Sequence, residues 1–160
     1  MSPSPPFRHS WKSTCKAMAY EELKLENQLC FPLYACAKEV VRRYKPVLDG
    51  LDLTYTQYIA MLVLWEHREI SAKDLGAHLY LDSGTLTPLL KKLEQKHYLT
   101  RRRDPCDERN LLVTLTPQGL ALREQALEVP PRMQACVALE PEEAQQLGAL
   151  LRKLLKAMEL

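Results

Sequence analysis

Apolar positions recur along this chain at helical steps, and polar capping residues mark where each run begins. From Glu21 to Tyr44, the positions Leu25, Leu29, Leu33, Val40, Val41 and Tyr44 predict one long helix. Pro32 inside it would remove a backbone hydrogen bond and kink it, and Pro46 would end it. Thr54-Tyr55-Thr56-Gln57 has the form of a capping box and predicts a second helix through Glu66. Ser71-Ala72-Lys73-Asp74 has a similar form and predicts a third, through Leu79. In the next stretch Leu86, Leu89, Leu90 and Leu93 repeat at steps of three, one and three, a stripe that faces a core. Two starts are open for this fourth helix. Asp82 or Ser83 caps it and Pro88 bends its interior, or Thr87 caps it and Pro88 takes the first turn.

Leu99–Arg103 and Asn110–Leu115 have strand-like composition and flank a turn-rich tip, Asp104-Pro105-Cys106-Asp107-Glu108-Arg109, so a β-hairpin is predicted. Thr116-Pro117 supplies a cap and a first-turn proline for a helix that ends before Pro130-Pro131. Pro141-Glu142-Glu143 begins the last helix, whose Leu147, Leu150, Leu151, Leu154, Leu155 and Met158 form a broad apolar face. A terminal helix this apolar in a small domain needs a large surface to pack on, and a second subunit is expected. A hairpin directly after a helix-turn-helix gives the fold class: mainly α with a small β-hairpin wing, a winged helix-turn-helix.

Composition sharpens this picture locally. The chain has 160 residues, 46% of them hydrophobic, and a net charge of only +2, as befits one globular domain with a real core. Yet from Ser83 to Arg103 there are six Lys/Arg against one acid, Glu94. Ser83, Thr85, Thr87, Lys91 and Lys92 occupy the angles that the leucine stripe leaves, with hydroxyls near the helix start and ammoniums further along. Such groups are donors that duplex DNA accepts, although a basic face can also be merely solvated. Residues 1–20 read as a disordered basic tail, and a translation start at Met18 would leave a compact domain. No apolar run approaches the roughly 18 residues that span a membrane, and no apolar signal segment leads the chain, so a cytoplasmic protein is expected. No P-loop, dinucleotide glycine motif or H-E-x-x-H spacing occurs, so neither an enzyme nor a cofactor is expected. Five cysteines without a C-x-x-C pair argue against a disulfide framework or a metal site. A cysteine that matters here should matter through its reactivity.

With the elements placed, the chain resembles the MarR family of winged-helix repressors, and within it the OhrR branch of organic-hydroperoxide sensors. The resemblance is carried by LENQLCF at Leu25–Phe31, YKPVLDGLDLTYTQY at Tyr44–Tyr58, LYLDSGTLTPLLKKLE at Leu79–Glu94, RRRD at Arg101–Asp104 and DERNLLVTLTPQG at Asp107–Gly119. It implies a homodimer with interleaved terminal helices. Residues 54–116 would form the DNA-binding lobe, and 21–50 with 117–160 the dimerisation helices of a single domain, 21–160. The two lobes would reach successive major grooves of a pseudo-palindromic operator. It further implies that Ser83, Thr85, Thr87, Lys91 and Lys92 contact bases and phosphates. Arg109 would enter the minor groove, braced by Asp107, and Arg101, Arg102 and Arg103 would neutralise phosphates.

The same resemblance makes Cys30 the redox sensor, near the start of the first helix. A thiolate is the form that attacks an O–O bond, and phenols can stabilise it by donating to sulfur. Tyr34 lies four residues on and shares its helical face; Tyr44 and Tyr55 match two tyrosines that family members supply from the partner subunit. Attack would yield a sulfenic acid that condenses with another thiol. Cys36 points some 120° away from Cys30 on the helix. Cys136 lies where two-cysteine members carry their resolving cysteine, so an intersubunit Cys30–Cys136 disulfide is expected, with a one-cysteine scheme using a small thiol left open. Pro32 departs from the family pattern. Release by a small phenolic ligand, response to hypochlorite or electrophiles, and a winged helix that binds protein remain alternatives.

Overall fold

Side-chain caps set where the helices begin. The computed structural model describes residues 20–105, 107, 110–136 and 139–158. The expected tail up to residue 19, the alternative start at Met18, and Cys15, Cys106 and Arg109 lie outside the described residues. The chain divides between Arg42 and Arg43 into two compact units.

In the first unit the expectation of one helix from Glu21 is corrected. Leu25–Asn27 is a single 3-10 turn, and Gln28 is extended at φ −94°, ψ 106°. Asn27 Nδ2 and Gln28 Nε2 donate back to the carbonyls of Glu21 and Glu22 at 2.8 and 2.5 Å. Those side-chain bonds close a turn and compete with helical propagation. Helix α1 then runs over Cys30–Leu48. Pro32 is therefore its third residue, where an N–H would have no intrahelical acceptor, and the expected kink has no cause. Pro46, expected to end the helix, sits inside it. The lost bond is offset by anchoring beyond it, since Leu48 is completely buried and Leu51 nearly so.

In the second unit the predicted caps are in place. Helix α2, Tyr55–His67, opens with the full reciprocal capping box between Thr54 and Gln57. Strand β1, Glu69–Ser71, leads into α3, Ala72–Leu79, capped by Ser71. Helix α4, Ser83–Gln95, is capped by Asp82 with Pro88 in its interior, which decides between the two possible starts. Strands β2, Leu99–Arg103, and β3, Leu111–Leu115, form the hairpin. The sheet gains an unpredicted third strand, with order β1-β3-β2 and both pairings antiparallel; Val113 faces Ile70 on one side and Arg101 on the other. Helix α5, Pro117–Ala126, is capped by Thr116. It ends before Pro130 and Pro131, as expected, and those two prolines occupy the first turn of a further short helix α6, Val129–Gln134, the position that tolerates a missing N–H. Helix α7, Pro141–Met158, buries none of its residues. The fold is mainly helical with a small sheet, as expected.

One contact fixes α5 against the hairpin base. A Cβ on Gly119 would lie 2.0 Å from the carbonyl oxygen of Tyr98, so only glycine fits there. The Gly119 carbonyl in turn accepts the buried indole N–H of Trp65 at 2.8 Å. We expect Gly119→Ala to destabilise the protein by about 2–4 kcal/mol in a denaturant melt, and a change of under about 0.5 kcal/mol would show that the approach of Tyr98 is not required.

Candidate DNA interface and redox cysteines

Leu86, Leu89, Leu90 and Leu93 are at most 7% exposed, which turns Ser83, Thr85, Thr87, Lys91 and Lys92 of α4 outward. The hydroxyls are partly committed. Thr85 donates its backbone N–H and its hydroxyl to the two Asp82 carboxylate oxygens, both at 2.9 Å. Thr87 Oγ1 donates to the carbonyl of Ser83 at 2.7 Å. With their hydrogens engaged, these two hydroxyls present oxygen lone pairs, and so act outward as acceptors. The bonds from Thr85, backbone first and then hydroxyl, hold Asp82 below the usual carboxylate range, keeping the cap charged. A groove of about 570 Å³ runs beside this face, lined among others by Thr56, Thr85, Lys92, Gln95 and Lys96. Gln95 and Lys96 were not among the expected residues; their spacing of three and four from Lys92 is the signal that could have found them.

The basic strand β2 is tied to its neighbours by ion pairs. Arg101 donates from Nε and Nη2 to Glu94 Oε2 at 2.9 and 2.6 Å, while its backbone N–H donates to Glu94 Oε1 at 3.0 Å. Only 21% of its side chain is exposed. These three bonds form a clamp that fastens β2 to α4. Arg102 donates to Glu69 at 3.1 Å, and Thr114 Oγ1 donates to the same carboxylate at 2.6 Å, tying all three strands together. Glu69 is held below its usual range by Thr114 and then Arg102, and Glu94 by Arg101. Arg103 is exposed at the end of β2. At the tip Asp107 accepts from Asn110, Nδ2 to carboxylate at 3.2 Å and N–H to carbonyl at 2.8 Å. Its expected partner Arg109 is outside the described residues.

Cys30, Cys36 and Cys136 are free thiols on the surface. Cys30 is the first residue of α1, and Tyr34, one turn later, is 64% exposed. Tyr44 and Tyr55 are brought together in the second unit with ring centroids 4.9 Å apart. Burial, and then the adjacent Tyr55, push the Tyr44 phenol above its usual value, so it keeps the proton it would donate. Tyr58, which sequence reasoning passed over, packs 5.9 Å from Tyr44 and 6.3 Å from Trp65. Cys136 sits in the turn after α6, and its carbonyl accepts from Arg43 Nη1 at 3.0 Å. Among the described residues no helix is long and apolar enough to cross a membrane.

Helices α3 and α4 followed by a strand pair, with an outward face of hydroxyls and lysines, define a winged helix-turn-helix DNA-binding regulator. The comparisons place it more closely. Residues 42–125 match the transcriptional regulator SarA/Rot family. The organic hydroperoxide resistance transcriptional regulator of Bacillus subtilis is 46% identical, over 87% of this chain and 95% of that one. The HTH-type transcriptional regulator SarZ of Staphylococcus aureus is 46% identical over 70% of this chain and 76% of its own. Reduced, DNA-bound AbfR, a protein of Staphylococcus epidermidis, superposes with a TM-score of 0.74 at 34% identity, covering 87% of this chain and 95% of that one. Its disulfide-formed structure superposes with a TM-score of 0.57 at 33% identity, covering 90% and 96%. The chain belongs to the MarR-type winged-helix transcriptional regulators, in the branch of the organic hydroperoxide regulators.

The different settings of Lys92 and Arg101 are separable by salt. Lys92→Gln should reduce the slope of log affinity against log salt by about one on specific DNA. Arg101→Gln should weaken binding with the slope nearly unchanged; an equal loss of slope would make Arg101 a phosphate contact. Acid provides a second check. Glu69 and Glu94 titrate lower in the folded than in the unfolded protein, so their contribution is complete above the ordinary carboxylate range and is lost as pH falls below it through their lowered folded values. The sheet should loosen below about pH 4 in near-ultraviolet circular dichroism, and less steeply in Arg102→Gln.

Proposed function

We propose that this protein represses transcription as a homodimer on a pseudo-palindromic DNA operator and lets go when organic hydroperoxides oxidise Cys30. The observation that carries this reading is the 46% identity, over 87% of the chain, to a regulator named for organic hydroperoxide resistance. A free, exposed cysteine at the head of α1 supports it, as does the likeness to AbfR, whose structures include a reduced, DNA-bound form and a disulfide-formed one. Residues 54–116 act as the DNA lobe, and 21–50 with 117–160 as the dimerisation helices. The exposed Leu147, Leu150, Leu151, Leu155 and Met158 of α7 supply the apolar surface for the second subunit. Ser83, Thr85, Thr87, Lys91 and Lys92 meet bases and phosphates, with Arg102, Arg103 and Arg109 at the wing. The protein works in the cytoplasm and turns over no substrate.

In the sensing step the Cys30 thiolate attacks the terminal oxygen of a hydroperoxide. The O–O bond breaks, an S–O bond forms, and the alkoxide leaves as an alcohol after protonation, so sulfur is oxidised to the sulfenic acid and the peroxide reduced. Cys30 stands at the positive end of the α1 dipole, and Tyr34 with the partner subunit's Tyr44 and Tyr55 donates to its sulfur. The thiolate of Cys136 in the other subunit then attacks the Cys30 sulfur, forming the S–S bond and breaking the S–O bond, and the hydroxide leaves as water after protonation. Mass spectrometry tests this assignment. After one equivalent of cumene hydroperoxide, dimedone should label Cys30 in Cys136→Ser, while the unmodified sequence gives a disulfide-linked dimer on a non-reducing gel. A linked dimer that persists in Cys136→Ser rejects Cys136 as the resolving thiol, and no label on Cys30 rejects the sensor.

A further inference from the structure

Tyr55, Tyr58 and Trp65 are spaced three and seven residues apart, which puts them on one face of α2. Tyr44 packs on that face at both tyrosines, 4.9 Å from Tyr55 and 5.9 Å from Tyr58, and Tyr58 lies edge-on to Trp65 at 6.3 Å. At the far end of the face the buried Trp65 indole donates to the Gly119 carbonyl at 2.8 Å. Gly119 stands directly against the Tyr98 carbonyl, which accepts the Thr116 N–H at 3.1 Å, while the Tyr98 N–H donates to Leu93 in the last turn of α4 at 3.1 Å. Thr116 Oγ1 adds a bond to the carbonyl of His97 at 2.6 Å. The contacts from Tyr44 to the end of the DNA-facing helix are therefore unbroken, and their middle, Tyr58, Trp65 and Gly119, is buried.

We propose that α2 is the lever by which the oxidation state of the sensor reaches α4, and that Trp65 is its positioning residue, acting through the Gly119 carbonyl. This rests on the reading that Tyr44 and Tyr55 hold the sulfur of Cys30. When that sulfur gains oxygen the two phenols must change partners and positions. A close-packed interior does not absorb such a shift locally, so Tyr58 and Trp65 move with them. The buried indole N–H cannot be left without an acceptor except at a cost, so it carries Gly119 along. With no side chain between Gly119 and Tyr98, the Tyr98 peptide follows, and its N–H is bonded to the Leu93 carbonyl in the last turn of α4.

Trp65→Phe keeps an aromatic ring and removes the donor. Dimedone labelling of Cys30, followed in a Cys136→Ser background, should proceed at the unaltered rate, and the reduced variant should bind operator DNA within about threefold of the parent. The ratio of oxidised to reduced dissociation constants should fall by about tenfold. An unchanged ratio overturns the lever while leaving the sensor standing. A parent protein whose affinity ignores oxidation overturns the sensing reading and the lever together. Fluorescence decides the matter if Trp65→Phe folds poorly. The chain has two tryptophans, so Trp11→Phe leaves Trp65 as the sole reporter. Its emission should change as Cys30 is oxidised and stay constant in Trp11→Phe with Cys30→Ser. Emission that is steady through complete oxidation overturns the proposal.

Discussion

Four leucines on one side of α4 decide what its other side can offer. Leu86, Leu89, Leu90 and Leu93 are buried, and at about 1.5–3 kcal/mol for each fully buried side chain no solvation preference of the opposite face can compete with them. The rotation of α4 about its axis is therefore fixed by the core. The hydroxyls of Ser83, Thr85 and Thr87 and the ammoniums of Lys91 and Lys92 are presented as a consequence of that burial. Asp82 adds the lengthwise restraint, because its carboxylate closes the first turn through Thr85. A helix held in rotation and in register suits the reading of base edges.

The positive charge around this helix divides by use. Arg101 and Arg102 spend theirs on Glu94 and Glu69, and the result is a hairpin whose angle to α4 is set by charge-assisted bonds. Lys91 and Lys92 remain on the outer face. The geometry makes Arg101 and Arg102 braces of the wing and leaves the lysines of α4 exposed. The same economy holds at the other end of the lobe, where one glycine and one indole N–H join α2, α5 and the bend between α4 and β2.

Much of this was legible in the sequence, because short-range chemistry wrote it there. The capping box at Thr54, the caps at Ser71 and Thr116, and the leucine stripe of α4 are all decided by residues within one or two turns of each other. What was not legible depended on distant partners. Strand β1 is three residues long and exists because β3 pairs with it. Pro46 is tolerated because Leu48 and Leu51 are anchored in the core. Pro130 and Pro131 looked like punctuation because the short α6 has no periodicity to announce it. The false helix over Glu21–Gln28 shows the reverse error, since apolar spacing suggested a face where the turn buries nothing. At the site, the sequence pattern supplied Cys30, Tyr44 and Tyr55, while Tyr58, Trp65 and the Glu94–Arg101 clamp emerged only from packing.

A sensor of this kind has to make one sulfur's chemistry felt at an interface built from another part of the fold, and α2 spans the tyrosines at one end and the α4–α5 junction at the other. The most direct measurement is fluorescence anisotropy of labelled DNA from around its own gene, with cumene hydroperoxide added and then dithiothreitol. Release by peroxide and recovery with dithiothreitol, both absent in Cys30→Ser, is the result that follows from a peroxide-sensing repressor. Binding that ignores peroxide in the unaltered protein would contradict it, leaving a DNA-binding regulator with some other inducer.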